Sequence, residues 1–133
     1  MPKFIMLVRA TADAELGRPP KQAELDEMGV YNETMRTAGI LETAQGFLDS
    51  SKGVRLAYSS SGEPQDVKVT PGPFQVDSLV SGFWVITVQD LDEAVSWAKK
   101  VPFRGGEVEV RKIADECDFQ EWRELEDAKS KPV

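Results

Sequence analysis

Two short runs of this chain, Phe4 to Val8 and Phe83 to Val88, are apolar at nearly every position. In extended backbone, neighbouring side chains point to opposite faces. Phe4, Met6 and Val8 therefore face one way while Ile5 and Leu7 face the other. In the second run Phe83 and Val85 oppose Trp84, Ile86 and Val88. A strand with one wet face alternates apolar with polar residues, so these two must be covered on both sides. Any fold proposed for the chain has to supply that second cover.

The remaining segments divide at their turn residues. The first strand is read as Lys3 to Arg9. Residues 10–20, with Gly17, Pro19 and Pro20, read as a loop. Leu25, Met28, Tyr31 (or Asn32), Met35 and Ala38 recur at helical spacing, and Gly39 supplies a left-handed stop. Ile40 to Leu48 reads as a moderately apolar strand. Val54, Leu56 and Tyr58 alternate, a polar turn runs from Ser60 to Pro64, and Val67 and Val69 alternate again, which makes a β-hairpin. After the strand at 83–88, Asp90 and Glu93 form a capping-box-like start. Ala94, Val95, Ala98 and Val101 follow as a buried stripe, stopped by Pro102. Glu107 to Ile113 is the last strand, with Val108 and Val110 on one face, and a final helix is expected from about Phe119.

Set aside the hairpin, and the order is that of a ferredoxin-like βαββαβ unit, an α+β class fold. Both helices then lie on one face of an antiparallel sheet. Too few helical stripes remain to cover the other face, so a second copy of the sheet is the simplest cover, and a homodimer is expected. With no linker or internal repeat, residues 1–133 are read as one domain.

Composition removes whole classes of chemistry. The 133 residues contain no histidine and one cysteine. Ser-His-Asp and Cys-His catalysis, His-ligated zinc and His-ligated haem are therefore closed to it. Carboxylate sites for magnesium or calcium stay open in principle, but no EF-hand or Walker spacing occurs, so no metal site or cofactor is expected. Any proton transfer falls to Asp, Glu, Lys or Tyr with shifted pKa values. The net charge of −7 argues against nucleic acid as a partner. Apolar runs near the start are too short for a signal-peptide core or a membrane span. The lone Cys117, without cationic neighbours in sequence, reads as an inert thiol, and a reducing, cytoplasmic setting is expected. Between Asp115 and Asp127 lie seven carboxylates against Arg123 alone, the pattern of a solvated helix.

A further stretch carries a resemblance. Val69-Thr70-Pro71-Gly72-Pro73-Phe74 sets a glycine between two φ-locked prolines, and Gly82-Phe83-Trp84 follows. With Glu15-Leu16-Gly17 and Ser50-Ser51-Lys52-Gly53-Val54-Arg55 ahead of them, these pieces resemble, in order, the YCII-related family branch named for its DGPF loop. The resemblance covers about residues 3–113. Pro71 stands where that loop carries aspartate, and Gln45 and Leu48 replace a glutamate and a histidine of the branch. After Phe74 the chain reads Gln75-Val76-Asp77-Ser78-Leu79, one residue shorter than the family segment. The resemblance implies a dimeric α+β barrel. It also implies kinship with proteins that use a His-Asp pair on small ring-containing substrates, a pair this chain cannot form.

The candidate site residues each have a structural alternative. Gly72 serves the loop's geometry or approaches a ligand. Phe74 and Trp84 fill the core or wall a pocket, and a buried indole N–H needs a partner. Arg9 is a solvated strand end or an anion anchor. Arg55 sits on the hairpin surface or binds, Gln45 stands at a family site position, and Glu15, on the 10–20 loop, is the candidate acid or base. One pocket is envisaged from Phe74, Trp84, Arg9 and Glu15, suited to a small, flat, anionic molecule. Three functional classes follow. The first is a small-molecule-binding protein, a catalytically degenerate relative of an enzyme. The second is a lyase or isomerase using Glu15 or Asp77 as base. The third is a regulatory interaction module, with the acidic tail on a basic partner; by resemblance, relatives occur beside sigma-factor-like proteins.

Overall fold

The computed structural model describes residues 1–130. Strand β1 (Lys3–Arg9) leads into a single helical turn, α1 (Ala12–Glu15), then α2 (Gln22–Thr37) and β2 (Leu41–Gly46). The hairpin follows as β3 (Val54–Ala57) and β4 (Lys68–Pro71), then β5 (Val80–Thr87), α3 (Leu91–Ala98), β6 (Val108–Lys112) and α4 (Glu116–Ser130).

The four long strands form one antiparallel sheet in the order β2-β5-β1-β6, the ferredoxin-like arrangement, while β3 and β4 pair separately. The doubly apolar strands are the two central ones, with Phe4 opposite Ile86 and Met6 opposite Trp84. On the helical face Met6, Met35, Ile86, Val88 and Ala94 have no exposed surface, and Phe4, Tyr31, Ile40 and Trp84 are buried around them. On the other face Ile5, Leu7, Phe83 and Val85 are only half-buried, and Phe47, ring centroid 5.8 Å from that of Phe83, is half exposed. Among the described residues, the face that the sequence marks as needing a cover is only half covered.

Local signals explain most boundaries. Gly39 takes φ +76°, the left-handed geometry that ends α2 cheaply. Asp90 accepts a hydrogen bond from the Glu93 amide (2.9 Å), while Glu93 reaches back to the Gln89 amide (2.6 Å), so α3 starts with a reciprocal cap. The structure also corrects the sequence reading at several places; β5 begins at Val80, ahead of Phe83. The 10–20 segment holds α1, because Thr11 accepts from the Ala14 amide (3.2 Å) and caps one turn. The second strand ends at Gly46, short of Leu48, and its last link to β5 is the Phe47 amide to the Ser81 carbonyl (2.8 Å). The last helix begins at Glu116, ahead of Phe119, because Asp115 and Asp118 exchange side-chain and backbone hydrogen bonds at 3.1 and 3.0 Å.

Candidate functional site

Strand parity divides the expected pocket into two regions. Trp84 has even parity with Ile86 and faces the helices. Its indole N–H donates to Asn32 Oδ1 (2.8 Å), and its ring meets Tyr31 edge-on at 5.6 Å. Arg9 reaches instead toward Glu109 (3.9 Å), whose strand position opposes Leu7 on the helix-free face. The single pocket of Phe74, Trp84, Arg9 and Glu15 therefore does not form. The physical reason is the two-residue period of a strand: with Met6 opposite Trp84, the side chains of Trp84 and Arg9 leave through opposite sides of the sheet.

The helix-side region is a cleft of about 250 Å³ where β2 and β5 meet α2. Trp84, Gln45, Phe103, Met28 and Asn32 are among its lining residues. It is largely apolar. Gln45 is exposed on the edge strand, and Trp84, at 4% exposure, is chiefly core.

The second region gathers Arg9, Glu15, Arg55, Gly72 and Phe74 through the turn at Ser50–Lys52 and the loop that ends β4. Arg9 donates to the Asp77 carbonyl oxygen. Arg55 donates to Ser78 Oγ (3.1 Å) and lays its guanidinium over the Phe74 ring, 4.0 Å from the centroid. Two cationic groups thus end on neighbouring residues of one loop. Cation–π stacking contributes about 0.5–2 kcal/mol and leaves the guanidinium edge available to an anion.

Glu15 sits beneath this loop. One carboxylate oxygen accepts from the Ser50 amide (2.9 Å) and the other from the Ser50 hydroxyl. Ser50 Oγ in turn accepts from the Phe74 amide (2.9 Å), and the Gly72 amide donates to the Gly53 carbonyl (3.0 Å). The Gly72–Pro73 peptide bond is cis. Ser50 lies in the Ser50–Arg55 stretch that carries the family resemblance, but nothing in that stretch marks it as a site residue. A serine one turn before a hairpin is a common enough feature that only its tertiary partners single it out.

Shifted titrations are found at Tyr31, at Asp49 beside the Ser50 turn, and at the start of α4. Burial pushes the Tyr31 phenol up to about 12. The Ser51 hydroxyl bonded to Asp49 holds that carboxylate below its usual range. Lys112 and Asp118, hydrogen-bonded at 2.8 and 2.9 Å, move apart, the ammonium upward and the carboxylate downward. On α4, Phe119, Trp122 and Leu125 stand about half exposed at helical spacing, and Cys117 is exposed. No helix among the described residues is long and apolar enough to cross a membrane.

Compared with known proteins, residues 3–120 match the family model described as the YCII-related domain. No curated protein matches the chain.

Proposed function

The chain belongs to the YCII-related domain family, and from that premise we propose that it is a small-molecule-binding protein whose ligand is a small, flat anion held beside residues 74–78. The observation that carries this reading is the meeting of Arg9 and Arg55 on one loop, with Arg55 already stacked on Phe74. A stacked guanidinium loses little freedom on binding and offers a planar fork to a carboxylate or phosphate. Glu109 offsets part of the Arg9 charge at 3.9 Å, so Arg55 is the stronger anchor.

The same reading includes a homodimer. The half-buried residues Ile5, Leu7, Phe83 and Val85 form a contiguous apolar face, and a second copy pairing through it would close a barrel of two sheets. It calls for no cofactor and places the free thiol of Cys117 in a reducing cytoplasm.

Calorimetric titration with benzoate and with inorganic phosphate tests the proposal. Saturable binding of either is expected, lost in Arg55→Ala and weakened in Arg9→Ala, with the sedimentation coefficient unchanged. A wild-type protein that binds neither probe overturns it. A second reading, an interaction module, rests on the exposed Phe119, Trp122 and Leu125 stripe among the carboxylates of α4. Its test is whether Trp122→Ala abolishes capture of a basic amphipathic peptide.

A further inference from the structure

Glu15 is the acid or base candidate by residue type, yet the structure surrounds it with donors rather than with open space. Both carboxylate oxygens are taken by Ser50, one by its amide and one by its hydroxyl. That hydroxyl has its remaining role fixed as well, since it accepts from the Phe74 amide. The Phe74 ring lies beneath the Arg55 guanidinium. A continuous run of contacts therefore leads from α1, through the Ser50 turn and the 72–74 loop, to the cation that the proposed function assigns to the ligand.

The contacts have a direction. A carboxylate can accept from both Ser50 donors at once, which orients the hydroxyl hydrogen toward Glu15 and leaves an oxygen lone pair for the Phe74 amide. An amide at the same position has one accepting oxygen and an NH₂ group. That NH₂ would face the Ser50 hydroxyl, compete with the Phe74 amide for the same lone pairs, and displace the hydroxyl hydrogen. Steric contact reinforces the arrangement, because the Ser50 carbonyl lies so close to Gly72 that a Cβ there would stand 1.9 Å away. The Ser50 turn is thus gripped from one side by charge and from the other by contact.

We infer that Glu15 is a positioning residue: through Ser50 it holds Phe74 under Arg55 and so sets where the anion-binding charge stands. The inference rests on the anion-binding reading for its purpose, though not for its geometry. Coupling of this kind is reciprocal. An anion that binds the stacked Arg55 tightens the Ser50 and Phe74 hydrogen bonds, and slows hydrogen exchange at those two amides.

The test follows the Arg55 side-chain N–H resonance by NMR in the full chain, because a ring beneath a guanidinium shifts it upfield whether or not any ligand is present. In wild type it is expected upfield of free arginine. In Glu15→Gln it is expected to return to the free value while the Trp84 indole resonance stays in place, which reports an intact core. Benzoate affinity should fall roughly tenfold in that variant, the scale of one lost cation–π arrangement. Should Glu15→Gln fail to fold, Ser50→Ala removes the same link and Ser50→Thr restores it. The Arg55 shift is then expected to be lost in the first and kept in the second. An Arg55 resonance that stays shifted in Glu15→Gln or Ser50→Ala overturns the inference, as does one unshifted in wild type. If the shift behaves as expected but wild type binds neither benzoate nor phosphate, the positioning role stands and the anion-binding reading alone fails.

Discussion

The Ser50 carbonyl oxygen occupies the space that a side chain at Gly72 would need; a Cβ there would lie 1.9 Å from that oxygen and 2.7 Å from the carbonyl carbon. Both are backbone atoms, so no rotamer change relieves the contact. Gly72→Ala is therefore expected to destabilise by about 1–3 kcal/mol, the range for forced overpacking. Denaturant unfolding checks it, and an unchanged midpoint would mean that the Ser50 turn moves aside freely.

Trp84 joins the core to a polar partner. Replacing it with phenylalanine keeps most of the apolar surface but strips Asn32 Oδ1 of its donor. The expected loss is about 1–3 kcal/mol for the stranded acceptor. The double variant Trp84→Phe, Asn32→Leu should recover part of it, and a cycle of unfolding free energies measures how much.

Tyr31 carries a pH dependence whose sign is set by burial. Its hydroxyl donates to the Trp97 carbonyl (2.7 Å), and the folded-state value is raised from 10.0 to about 12. The neutral phenol's contribution is complete below the unfolded value and is lost as pH rises through the folded one. In a Tyr58→Phe background, ultraviolet titration should show the remaining tyrosine ionising late, together with unfolding. Ionisation near the unfolded value without unfolding would contradict this.

At the start of α4 the Lys112–Asp118 pair acts over the opposite window as well. Asp118 is lowered, so its contribution is present above the unfolded carboxylate value and disappears as pH falls through the depressed one. Lys112 is raised, so its contribution is full below the unfolded lysine value and lost as pH rises through the folded one. Acidification should reduce the far-ultraviolet helical signal in wild type, and Asp118→Asn should show that reduction already at neutral pH. Equal signals at neutral pH would show that the first turn of α4 does not depend on this pair.

The apolar sheet face yields a prediction about assembly. Val85 is half-buried among Ile5, Leu7 and Phe83. Val85→Lys should abolish self-association in sedimentation with no loss of secondary structure, because a charge there disfavours only the covered state. A wild-type protein that sediments as a monomer at micromolar concentration removes the proposed dimer.

Much of this architecture is legible in the residues alone. The central strands announce themselves by being apolar on both faces, α2 by its stripe and Gly39, α3 by Asp90 and Glu93, and the hairpin by alternation around a polar turn. All are local signals, carried by spacing within a few residues. The capping of α1 by Thr11 and of α4 by Asp115 and Asp118 was equally local but lay under a stronger competing pattern, the prolines of one segment and the charge run of the other.

The site is a different matter. Which residues meet depends on contacts between segments far apart in the chain: Glu15 with Ser50, Ser50 with Phe74, Phe74 with Arg55. Nothing in the spacing of those residues brings them together. Strand alternation groups Trp84 with Ile86 and Arg9 with Leu7, but only the register, with Met6 opposite Trp84, puts them on opposite faces, and no alternation could say that the Ser50 turn would become the hub. Local periodicity therefore determined the elements and the two faces of the sheet. The tertiary structure decided which loops met at the end of β1, because that depends on how the separate hairpin packs, and no short-range pattern encodes such packing.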